Sequence, residues 1–450
     1  MRGAPGSSGL RDPYFPKAGN GGYDVTHYGL TLDYDRDGGG RLEGTAVVTA
    51  RATQDLSAFQ LDLEGLDVRL VAVDGREARW DRAGQELVVC PPSALREGAE
   101  FRTTVRYSGR PRVITDPDGS REGWLPTADG ALALGEPVGS MAWFPGNHHP
   151  SDKAAYDVSV TVPEGLRAVS NGVLADESTE GGRTTFAWHT AEPMASYLAT
   201  VAVGEFETRA YETRATAAED GLPVYVAVDP SQAGASGEVL GRIPEVVAWA
   251  EGIFGPYPFS SVGAIVERPG DAGYALETQN RPVFPGAPDV VLLVHELAHQ
   301  WYGDSVTPRT WRDMWLNEGF ATYAEWLWQE EHGGATAQEI FDGLHAGKVF
   351  PGGIGGPSIW AFPPAEPPGA EHISDSPVYQ RGAMVLHRVR ETVGDDGAFR
   401  ALLRGWAAEH RHGNAATVDF TAYVERSVPE KDFGAVWEDW LYGDGKPERR

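Results

Sequence analysis

Val291-Leu292-Leu293-Val294-His295-Glu296-Leu297-Ala298-His299 carries the sharpest pattern in this 450-residue chain. Four apolar residues lead into a His-Glu-x-x-His unit, as expected of a helix buried at the centre of a domain. On a helix His295 and His299 lie one turn apart on one face, so both imidazoles reach a single ion. Glu296 sits beside them and touches a water on that ion without binding the ion itself. Eighteen residues separate His299 from Glu318. Gly303 is placed to end the first helix, and Thr307-Pro308-Arg309-Thr310 to turn into a second that brings Asn317-Glu318-Gly319-Phe320 back against it. The expected ligand set is therefore His295, His299 and Glu318. Three protein ligands with the fourth position open is the pattern of a catalytic zinc; a structural site is closed by four.

Upstream, the first 200 or so residues alternate with a period of two. Tyr28, Leu30, Leu32 and Tyr34 do so, as do Phe101, Thr103, Val105 and Tyr107, and Tyr156, Val158, Val160 and Val162. Such alternation buries one face of a strand. Turn signals at Asp37-Gly38-Gly39-Gly40, Asp74-Gly75, Asp118-Gly119 and Asn171-Gly172 separate the runs. A large antiparallel β domain is predicted. After about residue 208 the character changes. The polar stretch Glu207 to Gly221 reads as a linker, and Val239, Ile243, Val246, Ala250 and Ile253 form a helical stripe. Helical patterns follow over 290–303, 311–332, 382–393, 398–410 and 433–442, with a Gly- and Pro-rich loop over 351–370. The expected division is a flexible leader at 1–20, a β domain at 21–208 and a mainly helical domain at 209–450, an α+β multidomain fold.

Lys and Arg number 38 against 65 Asp and Glu, a formal charge of −27. A field of that sign repels phosphate backbones and anionic lipid, so no nucleic-acid partner is expected. No run approaches 18 apolar residues, so no transmembrane segment is expected. The one cysteine, Cys90, allows no internal disulfide. The first residues lack the apolar core of a signal peptide. That reads as a cytoplasmic protein, or a secreted one if a signal preceded this sequence. Asp33-Tyr34-Asp35-Arg36-Asp37-Gly38 copies the start of a calcium loop, but position twelve is Gly44 and the flanks read as strands; a hairpin turn is expected. His148-His149 reads as a loop pair.

Beyond single residues, the sequence resembles the gluzincin aminopeptidases of family M1, the aminopeptidase N-like enzymes. The resemblance is carried by His295 to Trp301, the eighteen-residue gap and Asn317-Glu318-Gly319-Phe320. Trp143-Phe144-Pro145 is similar to a segment of that family's β-saddle domain. Tyr379-Gln380-Arg381-Gly382-Ala383 is similar to its Tyr-x-Lys-Gly-Ala element, with Arg for Lys. Trp437 to Tyr442 with Pro447 resembles the end of its catalytic domain. The resemblance implies an N-terminal antiparallel β-saddle domain and a thermolysin-like, mainly helical catalytic domain, in a short form lacking the C-terminal helical domain of larger members. It implies one Zn2+ per chain, peptide substrates with a free N-terminus, and a zinc-activated water with Glu296 as general base. Tyr379 is the implied oxyanion donor. The family's Gly-Ala-Met-Glu-Asn motif corresponds to Tyr274-Ala275-Leu276-Glu277-Thr278, so Ala275 and Glu277 are the implied substrate contacts, Glu277 holding the α-amino group. Counting nine back from Pro145 gives Glu136 as a second anchor. Glu325, seven residues after Glu318 on the same helical face, either supports a ligand by a hydrogen bond or faces solvent. Two other readings share the motif: a thermolysin-like endopeptidase, and a non-catalytic peptide-binding protein.

Overall fold

The computed structural model describes residues 3–218, 221–348 and 357–448. The alternating residues form the expected strands. Tyr28, Leu30, Leu32 and Tyr34 are buried on Tyr23–Asp35, and Phe101, Val105 and Tyr107 on Glu100–Gly109. They belong to an eight-stranded sheet in the order Val173–Glu180, Arg183–Ala195, Lys153–Pro163, Tyr23–Asp35, Arg41–Ala52, Glu100–Gly109, Asp67–Val73, Arg76–Glu77. Its neighbours run antiparallel except one pair. Lys153–Pro163 lies parallel to Tyr23–Asp35, with Val158 opposite Leu30. The strand pair around Asp35 and Arg41 closes as a hairpin. Asp35 accepts a hydrogen bond from the Gly38 N–H at 2.9 Å, so this acidic stretch is a turn, as its flanks indicate.

A five-stranded sheet holds Val113–Thr115, Arg121–Pro126, Ala131–Leu134, Val201–Gly204 and Arg167–Ser170 in that order. A four-stranded sheet runs Glu207–Thr213, Leu222–Val228, Val262–Val266, Val283–Phe284. The expected linker at 207–221 thus begins as a strand. Glu207–Thr213 is largely exposed, so it lacks the apolar alternation that marks a half-buried strand. The leader differs from expectation too. Ala4 and Gly6 donate to the Asp55 and Ala58 carbonyls, both at 2.9 Å, and Gly19 donates to the buried Asp62 at 3.0 Å. Backbone hydrogen bonds hold this strap, and they leave no side-chain period to read.

By contacts the chain forms two compact units. The first comprises Met1–Glu212, Pro223–Ser236 and Phe259–Ala287; the second Thr213–Leu222, Gly237–Pro258 and Pro288–Arg450. The strands lying between residues 223 and 287 thus group with the first unit, where a single cut at 208/209 would assign them to the second.

The second unit is helical. Its elements include Ile243–Phe254, Val290–Ala298, Trp315–Glu331, Gly382–Val393 and Asp396–Glu409. Two further helices, Ala337–His345 and Thr417–Ser427, fall outside the helical patterns read from sequence. The stripe from Val239 breaks at Gly241-Arg242, and Pro244 sits in the first turn of the second piece, where its missing N–H costs nothing. The last pattern forms a π-helical turn, Val436–Leu441. Part of the expected loop, residues 351–356, lies outside the described residues. The core is rich in tryptophan: Trp301, Trp311, Trp315 and Trp406 are all buried. Trp315 reaches the Thr417 hydroxyl at 2.9 Å, tying two helices together.

Candidate active site

Asp289 caps the helix Val290–Ala298, accepting from the Leu292 N–H at 2.8 Å. Leu293, Val294, Leu297 and Ala298 bury its other faces. His295 and His299 therefore share one face, with ring centroids 4.7 Å apart. The helix ends at Ala298 with His299 as its C-cap, one turn earlier than a stop at Gly303 would place it. Gly303 has a different task. Its φ is +131°, and a Cβ there would lie 2.0 Å from Asn317 Oδ1 and 3.3 Å from His299 Nδ1. Only glycine lets the chain pass between a candidate ligand and the second helix.

That second helix, Trp315–Glu331, carries Glu318 in its first turn. His295 Nε2 and His299 Nε2 stand 3.1 Å apart, and each lies 3.2–3.3 Å from Glu318 Oε2. The three atoms form a nearly equilateral triangle. A tetrahedral ion with bonds of about 2.0–2.1 Å needs ligand separations of about 3.3–3.4 Å. The donor set, two imidazoles and one carboxylate, suits zinc. All three side chains are almost wholly buried.

Outer partners orient them. His299 Nδ1 donates to the Tyr302 carbonyl at 3.1 Å; a carbonyl only accepts, so the proton sits on Nδ1 and Nε2 is the nitrogen that can ligate. His295 Nδ1 lies 2.6 Å from Glu325 Oε1, so Glu325 points to a candidate ligand. Burial pulls the His295 imidazole pKa down, but Glu318 and Glu325 outweigh it and hold it well above its ordinary value. Burial pushes the Glu318 carboxyl up, yet the two imidazoles hold it well below the usual carboxylate range. The Glu318 carboxylate thus draws positive charge to the point where the two Nε2 atoms meet it, and a metal cation there would take the place of the imidazole proton. Glu296, 4% exposed, lies on the same helix between the two histidines in sequence.

Tyr379 sits in a π-helical turn, Pro377–Arg381, which runs into Gly382–Val393. Its ring stacks parallel to His295, at 12° and 6.1 Å between centroids. Two glycines make that approach possible. A Cβ on Gly319 would come 3.0 Å from the Gly382 backbone, and one on Gly382 would come 3.1 Å from Gly319 Cα. The helix bearing Glu318 and the turn bearing Tyr379 therefore meet backbone to backbone.

In the first unit, Glu277 lies on the loop between strands Val262–Val266 and Val283–Phe284. Leu276 pairs with Val283, and Arg281 locks the base of the loop. The buried Arg281 guanidinium donates to the carbonyls of Ser170, Gly172 and Tyr225 and lies over the Trp188 ring at 4.7 Å. Glu277 is buried, while Tyr274 and Ala275 beside it are partly exposed. Glu136 follows the strand Ala131–Leu134, and its carboxylate and that of Glu277 lie within 4.8 Å of one another. Each unit thus brings its own predicted residues together: His295, Glu296, His299, Glu318 and Tyr379 in the second, Glu136, Ala275 and Glu277 in the first. The Tyr302 carbonyl was beyond the reach of sequence reading, because a backbone acceptor has no residue signature. His148 and His149 lie in a loop, as expected, and are buried there; His148 bonds the Phe144 carbonyl at 3.0 Å and His149 faces Asp12 at 3.3 Å.

Residues 287–440 match the Peptidase family M1 domain, and residues 24–198 match the Peptidase M1 N-terminal domain. The chain belongs to peptidase family M1. An M1 zinc metallopeptidase from Deinococcus radiodurans, solved as a mutant bound to a Tyr-Ser-Ala substrate, is 30% identical with a TM-score of 0.87, over 98% of this chain and 100% of that one. A two-domain M1 zinc metallopeptidase mutant bound to L-arginine is also 30% identical, with a TM-score of 0.88 over 98% of this chain and 99% of that one. Probable aminopeptidase 1 of Sulfurisphaera tokodaii is 23% identical over 94% of this chain and 53% of its own length. The chain spans about half the length of the curated relatives it matches first. Within this M1 chain, no helix among the described residues is long and apolar enough to cross a membrane.

Proposed function

We propose that this M1 chain is a zinc-dependent aminopeptidase that removes N-terminal residues from peptides. The observation that carries the reading is the triangle of His295 Nε2, His299 Nε2 and Glu318 Oε2, with sides of 3.1–3.3 Å. Those three residues would hold one zinc ion. When bound, the ion supplies Lewis acidity at an open fourth position.

The remaining work falls to side chains. Glu296 Oε takes a proton from the attacking water and returns it to the leaving amine. Tyr379 Oη donates a hydrogen bond to the developing oxyanion. Glu136 and Glu277 hold the substrate's ammonium group between two carboxylates, an arrangement that discriminates against a blocked amine. Ala275, partly exposed and two residues before Glu277, would border that site. The paired carboxylates favour an aminopeptidase over an endopeptidase, because an internal peptide bond presents no cation to satisfy them. Like charges at this separation repel, and a substrate ammonium between them would offset that repulsion.

The test is a panel of free and N-acetylated peptides, assayed with and without chelator, on the wild type and Glu296→Gln. Expected are cleavage of free peptides only, loss on chelation with recovery on adding zinc, and a drop of about 10²–10⁴-fold in kcat for Glu296→Gln with the fold and zinc content intact. Equal cleavage of blocked and free peptides overturns the exopeptidase reading. Full activity in metal-free protein overturns the zinc reading.

A further inference from the structure

Glu122, in the strand Arg121–Pro126, was not singled out by any motif, yet it is 0% exposed. A carboxyl group taken fully out of water needs compensating hydrogen bonds. Here they come from one short turn. The Gly139 N–H donates to Glu122 Oε2 at 2.8 Å, and the Val138 N–H points at both oxygens, at 3.2 and 3.4 Å. The turn is Gly135-Glu136-Pro137-Val138-Gly139. Proline has no N–H, so the donors next after Glu136 are those two, and both go to Glu122.

Glycine is required at both ends of the turn. A Cβ on Gly139 would lie 2.3 Å from the Leu134 carbonyl oxygen and 2.8 Å from Glu122 Oε2. A Cβ on Gly135 would lie 2.5 Å from both Ser140 Oγ and the Tyr197 carbonyl oxygen. The turn is thus closed around the carboxyl group, and its geometry passes directly to Glu136. Burial, with the nearby Asp116, pushes the Glu122 carboxyl well up, against the two backbone donors. Tyr274 touches the Glu136 carbonyl at 3.5 Å, and its phenol is raised by burial and then by Glu122 and Glu136.

Glu136 needs such support. Its carboxylate stands within 4.8 Å of that of Glu277. Like charges at this separation repel, so a firmly held turn favours the pairing. We propose that Glu122 is a positioning residue that fixes the 135–139 turn and thereby holds Glu136 where it meets the substrate's α-ammonium group. The inference rests on the reading of Glu136 as an ammonium anchor.

The test is a double-mutant cycle on the zinc-loaded full chain, with a free-amine tripeptide as substrate. Variants are Glu122→Ala, Glu122→Asp, Glu122→Gln, Glu136→Ala, and each of Glu122→Ala and Glu122→Asp combined with Glu136→Ala. Glu122→Ala is expected to lower kcat/KM by ~10- to 100-fold, chiefly through KM, with zinc content unchanged. Glu122→Gln keeps a buried acceptor for the two N–H groups and stays within about twofold of wild type. Glu122→Asp, one methylene short, falls between, and carries the test if the alanine variant does not fold. In the Glu136→Ala background the Glu122 changes should cost less than about twofold more, because the positioned group is gone. Equal losses in both backgrounds, or a wild-type KM in Glu122→Ala, overturn the positioning inference and leave Glu136 in place. A wild-type KM in Glu136→Ala overturns the anchor reading, and the inference falls with it.

Discussion

Glu325→Ala tests how far the proposed zinc site depends on a carboxylate outside its three candidate ligands. Glu325 Oε1 sits 2.6 Å from His295 Nδ1, and the two side chains are 21% and 10% exposed. A carboxylate that accepts from a ligating imidazole fixes the ring and raises the basicity of its other nitrogen. A charge-assisted hydrogen bond contributes about 1.5–3 kcal/mol. Partial exposure of Glu325 places it toward the lower end of that range. Converted at about 1.4 kcal/mol per decade, the loss is roughly 10- to 30-fold in zinc affinity.

The assay is competition for zinc against a chelator of known affinity, on protein whose fold is checked by circular dichroism. Glu325→Gln should lose less than Glu325→Ala, because the amide oxygen still accepts from Nδ1–H. A zinc dissociation constant in folded Glu325→Ala equal to wild type would refute the reasoning. It would mean that His295 is oriented by packing alone, and that the 2.6 Å contact is a consequence of the ligand geometry and not its support.

Two further predictions concern the frame. Gly382→Ala places a methyl 3.1 Å from Gly319 Cα and 3.5 Å from Trp315 Cβ, so the helices must part, at about 1–3 kcal/mol; a melting temperature equal to wild type would contradict the close approach. Asp62 is pushed up to about 8, chiefly by burial and then by Glu86, against N–H donors from His148 and Gly19. Its folded pKa exceeds the unfolded value of about 3.9, so the folded state binds the extra proton between the two, and stability falls as pH rises from about 4 to about 8. Asp62→Asn should therefore gain on wild type, by on the order of a few kcal/mol, between pH 5 and pH 9; urea midpoints at both pH values check it, and a pH-independent difference would refute it.

Much of the fold was legible because one face of each long strand is buried. Tyr28 to Tyr34 and Tyr156 to Val162 announce themselves by period alone. That these two strands lie side by side and parallel was not legible, since direction between distant segments leaves no local trace. The helix Ala337–His345 was missed although its start is written in the chain. Thr336 accepts from the Glu339 N–H while Glu339 reaches back to the Thr336 N–H, a capping box of Thr-x-x-Glu form. At nine residues it is too short for periodicity to reveal. The candidate metal site was legible because its spacing is set by one helix and one return. Glu325 stayed ambiguous because a helical face fixes where a side chain starts, not where its carboxylate ends. Glu122 was invisible because its partners are backbone N–H groups.

Arg381 shows how a departure from the family pattern is absorbed. It stands where the motif has lysine, two residues after Tyr379, and it is 0% exposed. Its Nε donates to the Trp440 carbonyl at 2.9 Å, and its terminal nitrogens reach the carbonyls of Asp439, Gly443 and Phe362. Burial lowers its pKa to about 10, so it remains a cation at neutral pH. The acceptors cluster at the end of the Val436–Leu441 turn, where helical carbonyls lose their intrahelical donors. A lysine ammonium presents its donors from a single point, whereas the planar guanidinium spreads five over a fixed fork. Four acceptors spread over residues 362 and 439–443 match the fork. The arginine therefore braces the π-helical turn that carries Tyr379 against the Val436–Leu441 turn.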